Sequence, residues 1–188
     1  MAAKKDTGIS KTITLPEGIT VTLNGAVLTM KGPAGENSRD YFNPLVQIVQ
    51  KDNTVIVSSR SVKRKFTRVL NTINAHINNQ ILGATEGFTY ELKICSGHFP
   101  MTVKKEGSEV VVTNFLGEKI PRRAEILPSV DLEIKGEDIT IKSSEIENAG
   151  QTAANIEKAT FIKKRDRRTF QDGCYITSKP SDKKWKNY

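Results

Sequence analysis

The feature that most limits what this chain can fold into is an internal repeat. Val21-Thr22-Leu23-Asn24-Gly25, followed by Leu28, Met30 and Gly35-Glu36, reappears about 82 positions later as Val103-Lys104-Lys105-Glu106-Gly107, Val110, Val112 and Gly117-Glu118. The offset grows to about 84 where Val46, Ile48, Val55 and Val57 meet Val130, Leu132, Ile139 and Ile141. It reaches about 86 where Glu86-Gly87-Phe88 meets Asp172-Gly173-Cys174. Small loop insertions produce such a drift, so the 188 residues read as one supersecondary plan used twice.

The plan is readable in each copy. Asn24-Gly25 between alternating runs is a hairpin turn, because both central positions tolerate φ > 0, and Lys105-Glu106-Gly107-Ser108 does the same in the second copy. A second hairpin is predicted around Lys51-Asp52-Asn53 and around Lys135-Gly136-Glu137-Asp138. Phe66, Leu70, Ile73, Ile77 and Ile81 then recur at helical spacing, with Gly83 as the stop; Ile146, Ala149, Ala153, Ile156 and Thr160 do so in the second copy. Gly150 weakens that second helix by about 1 kcal/mol relative to alanine, so tertiary packing must hold it. The predicted class is α+β: two similar domains from an internal duplication, each an antiparallel sheet packed by one helix. The predicted boundaries are 1–85 for the N-terminal repeat and 86–188 for the C-terminal repeat with its basic tail. A strand at about 87–95 is read as closing the first repeat.

Composition excludes several functions. Apolar residues are 37%, and no stretch approaches the roughly 20 apolar residues of a spanning helix, so no membrane partner is expected. Met1 to Lys11 is polar and lacks the apolar core of a secretory signal, which points to the cytoplasm. The two cysteines, Cys95 and Cys174, lack metal-ligand spacing and are read as buried free thiols. There is no phosphate-binding Gly-Lys loop, no dinucleotide fingerprint, no HExxH and no GxSxG, and the two histidines, His76 and His98, lie far apart in sequence. The chain is not read as an enzyme; no cofactor, metal or small-molecule substrate is expected.

Charge says what kind of partner to look for. The net charge is +8, but residues 1–85 carry 11 basic and 5 acidic residues, 86–158 carry 9 and 13, and 159–188 carry 9 and 3. An acidic middle beside a concentrated basic end suits a partner of dense negative charge, nucleic acid first. Three stretches qualify. Arg60, Lys63, Arg64, Lys65 and Arg68 stand at the start of the first helix, where a solvated face is the ordinary reading but positive charge opposes the helix dipole. Lys163, Lys164, Arg165, Arg167 and Arg168, followed by Phe170, lie between helix and closing strand; such self-repelling cations are relieved by phosphate, which arginine grips with a planar fork. The tail contributes Lys179, Lys183, Lys184 and Lys186, with Trp185 available to stack on a base. His98, in a turn beside Phe99-Pro100, is either a backbone-bonded turn residue or an RNA contact.

Four phrases occur in one order: Lys31-Gly32-Pro33-Ala34-Gly35-Glu36, His98-Phe99-Pro100, Asn114-Phe115-Leu116-Gly117-Glu118-Lys119 and Thr169-Phe170-Gln171-Asp172-Gly173. Together they resemble the universal large-subunit ribosomal protein six family, called protein nine in eukaryotic ribosomes, over nearly the whole chain. The resemblance implies two similar α+β domains and a structural role in the large ribosomal subunit. It implies binding to ribosomal RNA near the translation-factor (sarcin-ricin) region through the C-terminal domain, with neighbouring ribosomal proteins as further partners. Bacterial members carry a Pro-Tyr-Lys-Gly-Lys-Gly type loop before the last strand; here Lys163 to Arg168 takes that place, keeping the charge and changing the motif. The alternative is an RNA-binding chaperone or regulator acting outside the ribosome.

Overall fold

The computed structural model describes residues 8–180 except Asp52. The chain divides into two compact units after Glu86.

In the first unit the strands are β1 (Ile9–Thr14), β2 (Thr20–Asn24), β3 (Val27–Gly32), β4 (Gly35–Asp40), β5 (Val46–Lys51) and β6 (Thr54–Ser59), followed by the helix α1 (Arg64–Thr85). They form two three-stranded antiparallel sheets, ordered β2-β3-β4 and β1-β6-β5. Asn24 pairs with Val27, so the first turn is Gly25-Ala26, one place later than the Asn-Gly pair predicts, and Gly25 alone takes a positive φ, 66°. Leu70, Ile73, Ile77 and Ile81 on α1 are buried against a core that includes Leu28, Met30, Val55 and Val57. Each such side chain stabilises the unit by about 1.5–3 kcal/mol relative to its exposed state. Gly83 does not stop the helix: it is buried inside α1, which runs on to a cap at Glu86, and Gly87 takes the positive φ of 71°.

The second unit holds β7 (Phe88–Cys95), β8 (Thr102–Glu106), β9 (Glu109–Thr113), a 3-10 turn (Phe115–Gly117), β10 (Arg122–Glu125), β11 (Val130–Lys135), β12 (Asp138–Ser143), the helix α2 (Ile146–Ala159) and β13 (Gly173–Ser178). Its sheets run β8-β9-β10 and β11-β12-β7-β13. Each unit is thus antiparallel β packed by one helix, with the strands shared between two sheets. Gly150 has a packing reason: a Cβ there would lie 2.9 Å from the hydroxyl of Tyr90 on β7, so the glycine leaves room for the end of that side chain. Cys174 is buried, and burial pushes its thiol up to about 11; Cys95 is only half-buried.

One boundary reading is corrected. The strand at 87–95 does not close the first repeat. β7 pairs with β12 on one side and β13 on the other, so it is interior to the second unit. β1 is its counterpart: Ile13 of β1 stands opposite Val55 of β6, and Leu92 of β7 stands opposite Ile139 of β12. The repeat therefore opens with this strand. Alternation along 88–95 shows a strand with a buried face but not which sheet it joins, since pairing is decided by tertiary contacts.

A chain of residues 87–180 is expected to unfold cooperatively on its own, followed by circular dichroism on heating. A chain starting at Gly97 lacks β7, the strand between β12 and β13, and is expected to show no such transition. Equal cooperativity in both would contradict the assignment of β7.

Candidate nucleic-acid interface

Helix α1 has 22 residues and α2 has 14. At the offset of about 86, the stretch that continues as helix in the first unit is loop 161–172 in the second. Chemistry explains the difference. Extended as helix, Lys163 would face Arg167 and Lys164 would face Arg168, repelling like-charge pairs at i,i+4. The corresponding turns of α1, from Ala75 to Thr85, carry no lysine, arginine or carboxylate.

The loop is anchored at both ends. At its root, the Arg122 guanidinium on β10 donates to the carbonyl of Ala159 at 2.9 Å, an acceptor that the helix end leaves open, and to that of Phe161 at 3.0 Å. Arg122 itself is fixed by two bonds to Glu118, at 2.8 and 2.6 Å, and lies 4.2 Å over the Phe115 ring. Those bonds hold the Glu118 carboxyl below its ordinary range. The Thr160 hydroxyl accepts from the Cys174 N–H at 2.9 Å, and Ile162 is buried.

At the far end stands Asp172, 3% exposed. Its Oδ1 accepts the backbone N–H groups of Gly97 and of His98 (2.9 Å), and its Oδ2 lies 2.6 Å from His98 Nδ1. Burial alone would raise this carboxyl; the donor bonds from His98 and Gly97 outweigh it, and the net shift is downward. The His98 ring stacks on Phe170 with centroids 4.5 Å apart, and Arg165 lies 4.8 Å over the same Phe170 ring. Nearby, Asn114 Nδ2 donates to the Pro100 carbonyl, and Gly117, which takes a φ of 79°, lies beside the Phe99 ring. Three of the four sequence phrases thus meet through these contacts.

Between the anchors, Lys163, Lys164, Arg165, Arg167 and Arg168 are all exposed. Asp166 curls this segment: its carboxylate accepts from Arg168 N–H at 2.9 Å and its carbonyl from Phe170 N–H at 2.9 Å. Arg167 lies 5.0 Å over the Phe161 ring. Only Arg168 approaches a described carboxylate, Asp166 at 3.7 Å. The structure therefore brings together the loop cations, Phe170 and His98.

It does not gather every candidate. Lys179 follows β13 at the end away from the loop, six strand residues on, about 20 Å at 3.3 Å per residue. Lys183, Lys184, Trp185 and Lys186 lie outside the described residues. Arg60, Lys63, Arg64, Lys65 and Arg68 are exposed around the start of α1 in the other unit, where Lys63 is the N-cap with no side-chain cap bond and the first turn has no acid. Sequence reasoning missed Asp172, Arg122 and Asp166. Charge runs conceal them, because each acts by fixing cations or backbone and not by adding to the positive total.

Fold and site together define a class: a duplicated α+β scaffold whose second copy replaces helix with an anchored, cation-rich loop. The profile of the family described as Ribosomal protein L6 matches residues 15–87 and 99–173, once per copy. The protein called Large ribosomal subunit protein uL6 in Methanobrevibacter smithii is 45% identical over 171 residues, covering 91% of this chain and 96% of that relative. Its namesake in Aeropyrum pernix is 42% identical over 92% of this chain and 95% of its own length. That of Methanosarcina mazei is 42% identical over 91% and 97%. The chain belongs to the Ribosomal protein L6 family.

Asp172→Asn is expected to destabilise the second unit by about 1–3 kcal/mol at neutral pH, since it misplaces the acceptor for three donors. The sign with pH follows from the lowered carboxyl. Its contribution is present above the unfolded value of about 3.9 and is lost as pH falls through the lower folded value. Melting temperatures of parent and variant should therefore converge below about pH 4. A constant gap down to acid pH would show that the carboxylate charge does not matter.

Proposed function

We propose that this protein is a structural constituent of the large ribosomal subunit that binds ribosomal RNA through the loop Lys163–Arg168. The observation that carries the reading is that loop: exposed cations, four of them without a described ion-pair partner, on a segment fastened at both ends. Fastening matters because ordering a free loop on binding costs entropy, which an anchored one has already lost. The relatives' names support the subunit. The work is structural, not catalytic: the positive loop neutralises phosphates and fixes the orientation of RNA elements. Its place is the cytoplasmic ribosome, beside the translation-factor (sarcin-ricin) region, with neighbouring ribosomal proteins on other surfaces; the resemblance in the phrases around His98 and Asp172 supports that position. The basic start of α1 and the tail cations are secondary RNA contacts in this reading.

Replacing Arg165, Arg167 and Arg168 by Glu is expected to leave the melting temperature nearly unchanged and to weaken RNA binding and incorporation into large subunits. The control replaces Glu106, Asp131 and Glu137, three exposed acids of the same unit, by Lys; it should bind at least as well as the parent. Parent binding should weaken with a log–log salt slope of about −5, the value for five to six phosphate contacts. A loop variant that assembles normally, or a slope near zero, would overturn the placement of the RNA face.

A further inference from the structure

An open cleft of about 860 Å³ lies beside the loop, lined among others by His98, Arg167, Arg168, Gln171, Asp172 and Tyr175. Resting on the reading of the loop as an RNA face, we propose that this cleft binds one phosphodiester of the RNA backbone. His98 Nε2 is the contact atom, Asp172 is its positioning residue, and one proton is taken up when the phosphate enters.

The argument begins at Asp172. Its side chain is 4% exposed, and both oxygens accept bonds from the 97–98 turn. A carboxylate so placed can only accept, so the hydrogen on the His98 ring is held at Nδ1. Phe170 fixes the ring plane by stacking at an interplanar angle of 23°. The His98 side chain is 36% exposed, and with Nδ1 engaged, Nε2 is the ring nitrogen left for a ligand.

With Nδ1 protonated, a neutral ring offers Nε2 as an acceptor, and a phosphate oxygen offers only lone pairs. The two can bond only after Nε2 takes a proton from solvent and donates it to the phosphate oxygen. The charged groups around the ring are Asp172, Arg165 over the Phe170 ring, and Arg167 and Arg168 on the cleft wall; Cys95 and Tyr175 complete the titratable lining. An arriving phosphate answers both the arginines and the protonated ring with its charge. The arginines supply attraction at every pH; His98 makes part of the affinity depend on pH.

The test uses the full chain, a fluorescent RNA duplex of mixed sequence and fixed salt. Parent affinity should rise about five- to tenfold between about pH 8 and pH 6, the effect of one linked histidine proton. His98→Gln should remove that response. Asp172→Asn should shrink it, and His98→Lys, a permanent cation, should bind at pH 8 as the parent binds at pH 6. Nitrogen NMR of the imidazole gives a reading that does not depend on any variant folding: at fixed pH, RNA should move the His98 ring toward the doubly protonated signature. A ring unchanged by RNA, or a pH response that survives in His98→Gln, overturns the proposal. So does inorganic phosphate that moves the ring as far as RNA at equal phosphate concentration, since the cleft would then not select a backbone phosphodiester. RNA binding that depends on the three loop arginines but not on pH would leave the loop reading standing and remove this one. Absence of any RNA binding would remove both.

Discussion

The Asp172 carboxylate holds the loop end of the second unit, because it ties the start of β13 to the turn after β7 through three donors. Both segments adjoin exposed, irregular chain. Without a shared acceptor, the N–H groups of Gly97 and His98 would turn to water, and Phe170 would lose the ring that stacks on it. The pair of anchors, Asp172 at one end and Arg122 at the other, turns a self-repelling basic segment into a surface of fixed shape. Repulsion among its cations is a cost in the free protein that a polyanion removes.

Duplication shows where the second copy departs from the first. The two units share a plan of six strands, with the register of β1 on β6 repeated by β7 on β12, and the second unit adds β13 beside β7. They part company at the helix ends. α1 runs to Thr85 with an uncharged last half, whereas α2 stops at Ala159 and its stopped end is capped by the Arg122 side chain and Thr160. The scaffold that remains is ordinary close packing, with Leu92, Ile139, Ile141 and Ile156 in one continuous core.

Much of this was readable in the sequence, and what was not has a physical cause. Asn24-Gly25, the alternating strands and the stripe from Leu70 to Ile81 each obey a local rule, so hairpins, strands and helix were predictable one by one. The sheet that β7 joins was not, because its side-chain alternation is the same whichever edge it pairs with. The end of α1 was misread at Gly83, where burial against the sheet outweighs glycine's tendency to stop a helix. The cations of the loop were visible as a charge run, and Phe170 and His98 as members of family phrases. The Asp172–His98 pair, 74 residues apart, leaves no local trace; only the fold brings the two together.

We propose that the loop of the second unit, held by Asp172 and Arg122, is the surface that meets ribosomal RNA. A density map of large ribosomal subunits from the source cells decides this. The expected result is Arg165, Arg167 and Arg168 within hydrogen-bonding distance of RNA phosphates, with the Asp172–His98 pair intact behind them. A map in which this loop faces solvent or protein alone, and RNA lies against the acidic strands instead, would contradict it.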